Sequence, residues 1–423
     1  MASLHIRGGG ALSGRIRVEG NKNAALPLMA ACLLTSEECV LENVPRIRDV
    51  DVLGRLLTEL GATVDGLGTS TVRIRCEQLR DDRPDANLVG KLRGSVLLLG
   101  PLLARRGTAH LGQPGGDFPA RRTIGTHLQA LVALGARQLD QPGTVLDAPK
   151  GLSGASFYLD EASVTGTETA LLAAAAARGR TVLRHAACEP HVAELCHFLS
   201  DMGAGISGAG TSTIVVEGAA RLRGARHRLW GDYVDAGSWG VIAAITGGEV
   251  DVIGARGEDL EPIAAVLRAM GVNCTFDDDR FVTARSPALR AVKRITTGLW
   301  PGFPSDMVSL VTVLATQADG RTLVHDWMYE LRLFALEQLS AMRADLFLCD
   351  PHRMIVTGPT KLRGRPLDSR DLRSGMALIA AALAAEGESR LAPLETVERG
   401  YPALLERLKS LGAQVEREAG EDA

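Results

Sequence analysis

An excess of positive charge is the first thing missing from these 423 residues. The 47 Lys and Arg are outnumbered by 50 Asp and Glu, giving a formal net charge of −3. A general nucleic-acid binder would carry a basic footprint, so nucleic acid is not an expected partner and any cationic site must be local. Long apolar runs are missing too. GMALIAAALAA, ending at Ala385, is among the longest and falls well short of the roughly 18 residues that a membrane span needs. The opening MASLHIRGGGALSGRIRVEG alternates polar and apolar residues and has no signal-peptide core, so a cytoplasmic protein is expected. No Cys-x-x-Cys pair occurs. The cysteines are odd in number and scattered, at positions 32, 39, 76, 188, 196, 274 and 349, which suggests neither a disulfide framework nor a zinc site but small buried residues. No metal-ligand spacing is present, and neither metal nor organic cofactor is expected. A hydrophobic fraction of 46% and a charged fraction of 23% are those of an ordinary globular protein, and the length suggests two or three domains.

What is there is a repeat. LTELGATV, LVALGARQ, LSDMGAGI, LRAMGVNC, LSAMRADL and LKSLGAQV place Gly61, Gly135, Gly203, Gly271, Arg343 and Gly412 at equivalent positions, roughly 70 residues apart. Each reads as a helix end closed by a residue in the left-handed conformation, which glycine adopts at little cost. Arg343 breaks that rule, so its turn should be strained or differently shaped. Ahead of each cap lies a short helix that is apolar nearly all round, such as ETALLAAAAARG or GSWGVIAAITGG, and such helices belong inside a domain. After most of them comes a β-like run. The expected unit is buried helix, strand, loop, outer helix, cap and strand, a βαβαββ-like repeat in an α/β protein.

Six units suit two domains of three. Residues 1–20 with 233–423 would form one, discontinuous because the N-terminal strands finish the sheet of the last unit. Residues 21–232 would form the other. A solenoid of six stacked units is the rival, although a solenoid usually lacks such a closing N-terminal piece.

Chemistry gathers where the buried helices begin. EGNKNAALP carries Lys22 and Asn23, KLRGS carries Arg93, EASVTGTET carries Ser163, FPSDM carries Asp306, and SRDLRSG carries Asp371 and Arg373. Helix N-termini offer unpaired N–H groups and partial positive charge, and lysine or arginine there sharpens that into a site for phosphate or carboxylate. Taken singly, each is as well explained by surface charge. QPGGDFPARR adds a lone Asp117 on a glycine loop beside Arg121 and Arg122, where the plain alternative is a solvated turn.

GNKNAALPL, NVPRIRDVD, LLLGPLLAR, PGGD, CEPHVAEL, FPSDM, DLRSGMAL and ERGYPALLERLKSLGA together resemble the enolpyruvyl transferases over nearly the whole chain, in particular the branch acting on sugar nucleotides. The resemblance implies an inside-out α/β barrel in two domains of three repeats. It also implies transfer of the enolpyruvyl group of phosphoenolpyruvate to the 3′-hydroxyl of UDP-N-acetylglucosamine, in peptidoglycan precursor synthesis. Lys22 and Asn23 match phosphoenolpyruvate contacts. Arg93, Arg122, Ser163, Val164, Asp306 and Met328 match sugar-nucleotide contacts. Arg122, Arg332, Arg373 and Arg399 match arginines around the reacting anions, and Asp306 and Asp371 match acids near the reacting centre. The implied catalytic set is Lys22, Asp117, Asp306, Asp371 and Arg399.

Addition–elimination through a tetrahedral ketal needs a proton for the methylene carbon, a base for the attacking hydroxyl and cations for the departing phosphate. Asp117 stands where the common pattern has a cysteine. As a proton donor it would need a raised pKa, and the thiolate that fosfomycin alkylates would be gone.

Other departures fall on the nucleotide. Gly125 replaces an aspartate that reads the uracil edge, Glu161 a lysine near the diphosphate, Leu331 an asparagine, and Glu398 an aspartate. A paralogue using UMP in nucleoside-antibiotic synthesis is therefore the alternative expectation. A non-catalytic nucleotide-binding protein and a shikimate-3-phosphate transferase are less consistent with the motifs.

Overall fold

The computed structural model describes residues 2–115, 123–330 and 332–419. It divides into two compact units, Gly20–Trp230 and Met1–Glu19 with Gly231–Ala423. Each has its own hydrophobic core. No helix among the described residues is long and apolar enough to cross a membrane.

In the Gly20–Trp230 unit, the buried helical segment Arg93–Leu98, continuing into Leu99–Arg106, packs against two others, Lys22–Ala31 and Val164–Ala175. Among the described residues three sheets accompany them. One has the order Arg226–Arg228, Cys39–Glu42, Thr71–Arg75, Thr63–Asp65. A second has Gly205–Ser207, Thr213–Glu217, Arg180–Arg184, Ser156–Tyr158. The third has three strands, Thr108–Leu111, Thr144–Asp147, Arg137–Gln138.

In the other unit the helices Tyr233–Thr246, Val308–Gln317 and Leu372–Ala384 contact one another pairwise. The first is buried from Tyr233 through Ile245. A Cβ on its Gly240 would stand 2.4 Å from the Phe281 ring, so glycine is what lets this helix lie so close to the strand Arg280–Ala284.

The repeated helix ends share one backbone conformation. Gly61, Gly135, Gly203, Gly271 and Gly412 have φ between 84° and 114°, and Arg343 joins them at 72°. The arginine turn thus has the same left-handed form as the glycine turns, with the steric cost that a side chain adds there.

The two N-terminal strands do not both finish the last sheet. Ser3–Arg7 does, lying between Glu388–Ala392 and Gln414–Glu418. Ser13–Arg17 instead runs parallel to Glu249–Ile253, in a different sheet. The glycines between them make the change possible: a Cβ on Gly8 would stand 2.2 Å from the Ala385 carbonyl oxygen, and Gly9 has φ 89°.

At three repeats the strand before a buried helix pairs parallel with the strand after it: Ser156–Tyr158 with Arg180–Arg184, Arg294–Thr296 with Gly320–His325, and Pro366–Asp368 with Glu388–Ala392. Two strands trade partners. Ser13–Arg17 precedes the helix Lys22–Ala31 yet pairs with Glu249–Ile253, while Arg226–Arg228 precedes Tyr233–Thr246 yet pairs with Val40–Glu42.

Candidate active site

Asp306 sits in the single turn Ser305–Met307 that leads into the helix Val308–Gln317. Its Oδ1 accepts from Arg332 Nη1 at 3.1 Å, and its Oδ2 accepts from Arg373 Nε at 3.1 Å and Nη2 at 2.9 Å. The two arginine side chains are only 7% and 6% exposed, whereas Asp306 keeps 30% of its side-chain surface open while protein encloses it at longer range. Burial alone would push the Asp306 carboxyl up, but the Arg373 and Arg332 charges outweigh it and hold the group far below the usual carboxylate range. Burial works against the charge on both guanidinium groups, and Asp306 together with further acidic groups, Asp326 and Asp371 around Arg332 and Tyr401 and Asp232 around Arg373, more than reverses it. Arg332 Nε is buried without a hydrogen-bonding protein partner. The arrangement is a pair of fixed cations bridged, and only half neutralised, by one carboxylate that solvent can still reach, which suits exchange with a doubly charged anion.

Neighbouring groups fix that geometry. Asp326, fully buried, accepts from Thr297 Oγ1 at 2.9 Å, Ser305 Oγ at 2.8 Å and Met328 N at 3.3 Å. It thereby positions the residue before Asp306 and the candidate Met328 together. Asp371 is the N-cap of Leu372–Ala384. Its Oδ1 accepts from Arg373 N and Ser374 N at 3.0 Å each, and its Oδ2 is bonded to the Ser374 hydroxyl. Both oxygens thus hold the helix start that carries Arg373. Arg399 follows the short helix Glu395–Glu398, and Glu398 pairs with Arg417 at 2.6 Å.

The other unit holds the remaining candidates. Asn21 caps Lys22–Ala31 by accepting from Asn23 N at 2.7 Å. Lys22, 13% exposed, reaches Asp49 at 2.8 Å, and Asp49 is 4% exposed. Arg93 Nη2 donates to the Thr123 carbonyl at 2.8 Å. Ser163 caps Val164–Ala175 by accepting from Gly166 N at 3.2 Å, and Val164 is the half-buried first residue of that helix. Glu161 is exposed just ahead, its carbonyl accepting from Ser163 N at 2.7 Å. Gly125 opens the helix Gly125–Ala133. Asp117, Arg121, Arg122 and Leu331 lie outside the described residues.

The sequence model of the EPSP synthase (3-phosphoshikimate 1-carboxyvinyltransferase) family matches residues 6–408. The chain belongs to this family of enolpyruvyl transferases. The UDP-N-acetylglucosamine 1-carboxyvinyltransferase of Treponema denticola is 40% identical over 97% of the chain and 98% of its own length. That of Bradyrhizobium diazoefficiens is 42% identical over 97% of each. Among solved structures, the enolpyruvyl transferase NikO from Streptomyces tendae superposes with a TM-score of 0.89 at 26% identity, covering 99% of both chains. An EPSP synthase of Acinetobacter baumannii, at 18% identity and TM-score 0.76 over 99% of this chain and all of its own, shares the fold.

Four residues of this enolpyruvyl transferase family member escaped the sequence reading. Asp49 is the partner of Lys22; its RIRDVD motif stood out without a role. Asp326 is the buried anchor beside Asp306. His127 bonds Thr169 Oγ1 at 2.8 Å and Thr165 Oγ1 at 3.1 Å, and burial, followed by the nearby Arg93 charge, lowers its pKa to about 3. It is a neutral ring joining the helices Gly125–Ala133 and Val164–Ala175. Tyr401, fully buried, touches Arg373. The only sequence signal for these was a polar residue inside an apolar helical stretch or beside a site motif.

Proposed function

We propose that this enolpyruvyl transferase moves the carboxyvinyl group of phosphoenolpyruvate to the 3′-hydroxyl of UDP-N-acetylglucosamine, releasing phosphate, as a step of peptidoglycan precursor synthesis. The observation that carries the reading is Asp306 held between the buried Arg332 and Arg373 in a chain about 40% identical, nearly end to end, to enzymes named for that reaction. Lys22, Asn23 and Arg399 bind phosphoenolpyruvate. Arg332, Arg373 and Arg122 neutralise its anionic groups, and Arg93, Ser163, Val164 and Met328 hold the nucleotide.

Asp306 takes the proton of the attacking hydroxyl as its oxygen bonds to C2 of phosphoenolpyruvate, and Asp117 delivers a proton to C3. Loss of a proton from the resulting methyl group then expels phosphate and restores the double bond. Anions that draw the guanidinium groups away from Asp306 make it a better base at the moment it is needed. Asp371 serves by fixing the helix start beneath Arg373. Both substrates are phosphorylated and do not pass bilayers unaided, which puts the reaction in the cytoplasm.

The same reading assigns each unit three βαβαββ-like repeats in an inside-out α/β barrel. Three buried helices and three sheets among the described residues of each unit support it.

Glu161 favours a second acceptor. An exposed carboxylate two residues ahead of the Ser163 cap repels a diphosphate more than a monophosphate, so UMP is the alternative. Phosphate release from phosphoenolpyruvate with UDP-N-acetylglucosamine, UMP and shikimate-3-phosphate in parallel decides it. Turnover with the sugar nucleotide is expected, and turnover with UMP alone would overturn the cell-wall assignment.

A further inference from the structure

We infer that Tyr401 is a positioning residue for the anion site, setting the direction in which Arg373 presents its guanidinium group and anchoring the backbone segment that carries Arg399. This rests on the proposal that those arginines bind phosphoenolpyruvate. Tyr401 is fully buried and bonds two different helices. Its hydroxyl lies 3.0 Å from Ser238 Oγ on Tyr233–Thr246 and 3.3 Å from Arg373 Nη1 on Leu372–Ala384. The Arg373 Cζ stands 5.7 Å from the centroid of its ring.

The hydrogen-bond directions follow from counting protons. The single hydroxyl proton of Ser238 goes to the Val234 carbonyl at 2.6 Å, so Tyr401 must donate to Ser238 Oγ. Arg373 can only donate, so Tyr401 accepts from it. The result is an oriented chain, Arg373 to Tyr401 to Ser238 to the Val234 carbonyl, and it requires a protonated phenol. Burial raises the Tyr401 pKa, with Arg373 pulling the other way, so the proton stays. Arg373 Nε and Nη2 already face Asp306. The phenol takes the opposite end, and a planar fork held at both ends has one orientation left.

The same residue reaches Arg399 through the chain. A Cβ on the intervening Gly400 would stand 2.6 Å from Leu372 Cδ2, at the first residue of the Arg373 helix. Residues 399–401 are therefore pressed onto that helix start at Gly400 and tied to it at Tyr401. One hydroxyl and one missing side chain thus tie the segment that carries Arg399 to the helix that carries Arg373.

The test is Tyr401→Phe, which keeps the ring and its volume, alongside Ser238→Ala and the double variant. Loss of a hydrogen bond to a charged group predicts a roughly tenfold rise in KM for phosphoenolpyruvate with a smaller change in kcat. Ser238→Ala should move KM the same way by less, and the double variant should resemble Tyr401→Phe, because both break one chain. Calorimetric titration of phosphoenolpyruvate alone should show the same weakening without any turnover. That separates this inference from the acceptor assignment: a native protein that binds phosphoenolpyruvate but does not use UDP-N-acetylglucosamine leaves the inference intact and sinks only the assignment. Native affinity in Tyr401→Phe would overturn the inference. So would additive effects in the double variant, or a fall in thermal stability that accounts for the whole loss.

Discussion

Replacing Asp306 by Asn removes the shared counter-charge of two buried guanidinium groups while preserving side-chain size. Removing one partner of a buried ion pair costs about 3–5 kcal/mol. Asp306 keeps 30% of its side chain open, so water recovers part of that and the expected loss is about 3 kcal/mol. For a unit of roughly 200 residues this lowers Tm by about 6–12 °C.

The pH dependence has a definite sign. The folded carboxyl is held below its unfolded value of about 3.9, so its stabilisation is present above that pH and is lost as pH falls through the lower folded value. Scanning calorimetry of both proteins should therefore show a constant gap between neutral pH and about pH 5, narrowing only under stronger acid. Inorganic phosphate provides an internal control. It should raise the Tm of Asp306→Asn more than that of the native protein, because in the variant an anion no longer competes with a carboxylate for Arg332 and Arg373. A variant that melts with the native protein at pH 7, or that gains no extra protection from phosphate, would show that the two arginines are satisfied some other way.

Arg343→Gly relieves a side chain held at φ 72° and should stabilise by about 1 kcal/mol in urea unfolding; a destabilised variant would contradict the strained turn. His127, with a pKa near 3, should stay neutral in NMR titrations down to about pH 4. Because its folded value lies below the unfolded one, its stabilising contribution is complete above the unfolded pKa and shrinks as acid is added. Treating the protein with fosfomycin should leave the 115–122 peptide unmodified by mass spectrometry, since a carboxylic acid is a poor nucleophile, and Asp117→Cys should restore time-dependent inactivation. Asp117→Ala should slow kcat by roughly 10²–10⁴, and full activity there would make Asp117 a turn residue. Glu161→Lys should improve binding of UDP-N-acetylglucosamine by roughly threefold to tenfold, with a smaller gain for UMP; equal gains would place Glu161 away from the second phosphate.

Features whose cause is local were readable in the sequence. Ser163 and Asp371 announce helix starts because a capping side chain acts within three residues of itself. The glycine caps recur because a left-handed turn admits few other residues. Even Arg343 was marked as an exception by its neighbours in the repeat. What was hidden depends on residues far apart in the chain. Nothing near Lys22 specifies Asp49, and nothing near Tyr401 specifies Ser238. The glycines at 8–10 mark a break between two strands without naming the sheet to which the second goes. Ser13–Arg17 alternates as any half-buried strand does, and that pattern fits the edge of several sheets equally well. Its place at the edge of the sheet, beside Glu249–Ile253, depends on a strand more than two hundred residues away.

That placement orders events during synthesis. All strands of the Gly20–Trp230 unit lie between Cys39 and Arg228, so it can be complete while the second half of the chain is still being made. The first nineteen residues leave the ribosome before it but belong to the other unit. Ser13–Arg17 must wait for Glu249–Ile253. Ser3–Arg7 waits far longer, because the strands on either side of it, Glu388–Ala392 and Gln414–Glu418, lie beyond every other strand of its unit in the chain. Ser3–Arg7 is thus an interior strand of a sheet whose other strands follow it by hundreds of residues, and this unit cannot close until Gln414–Glu418 has been made.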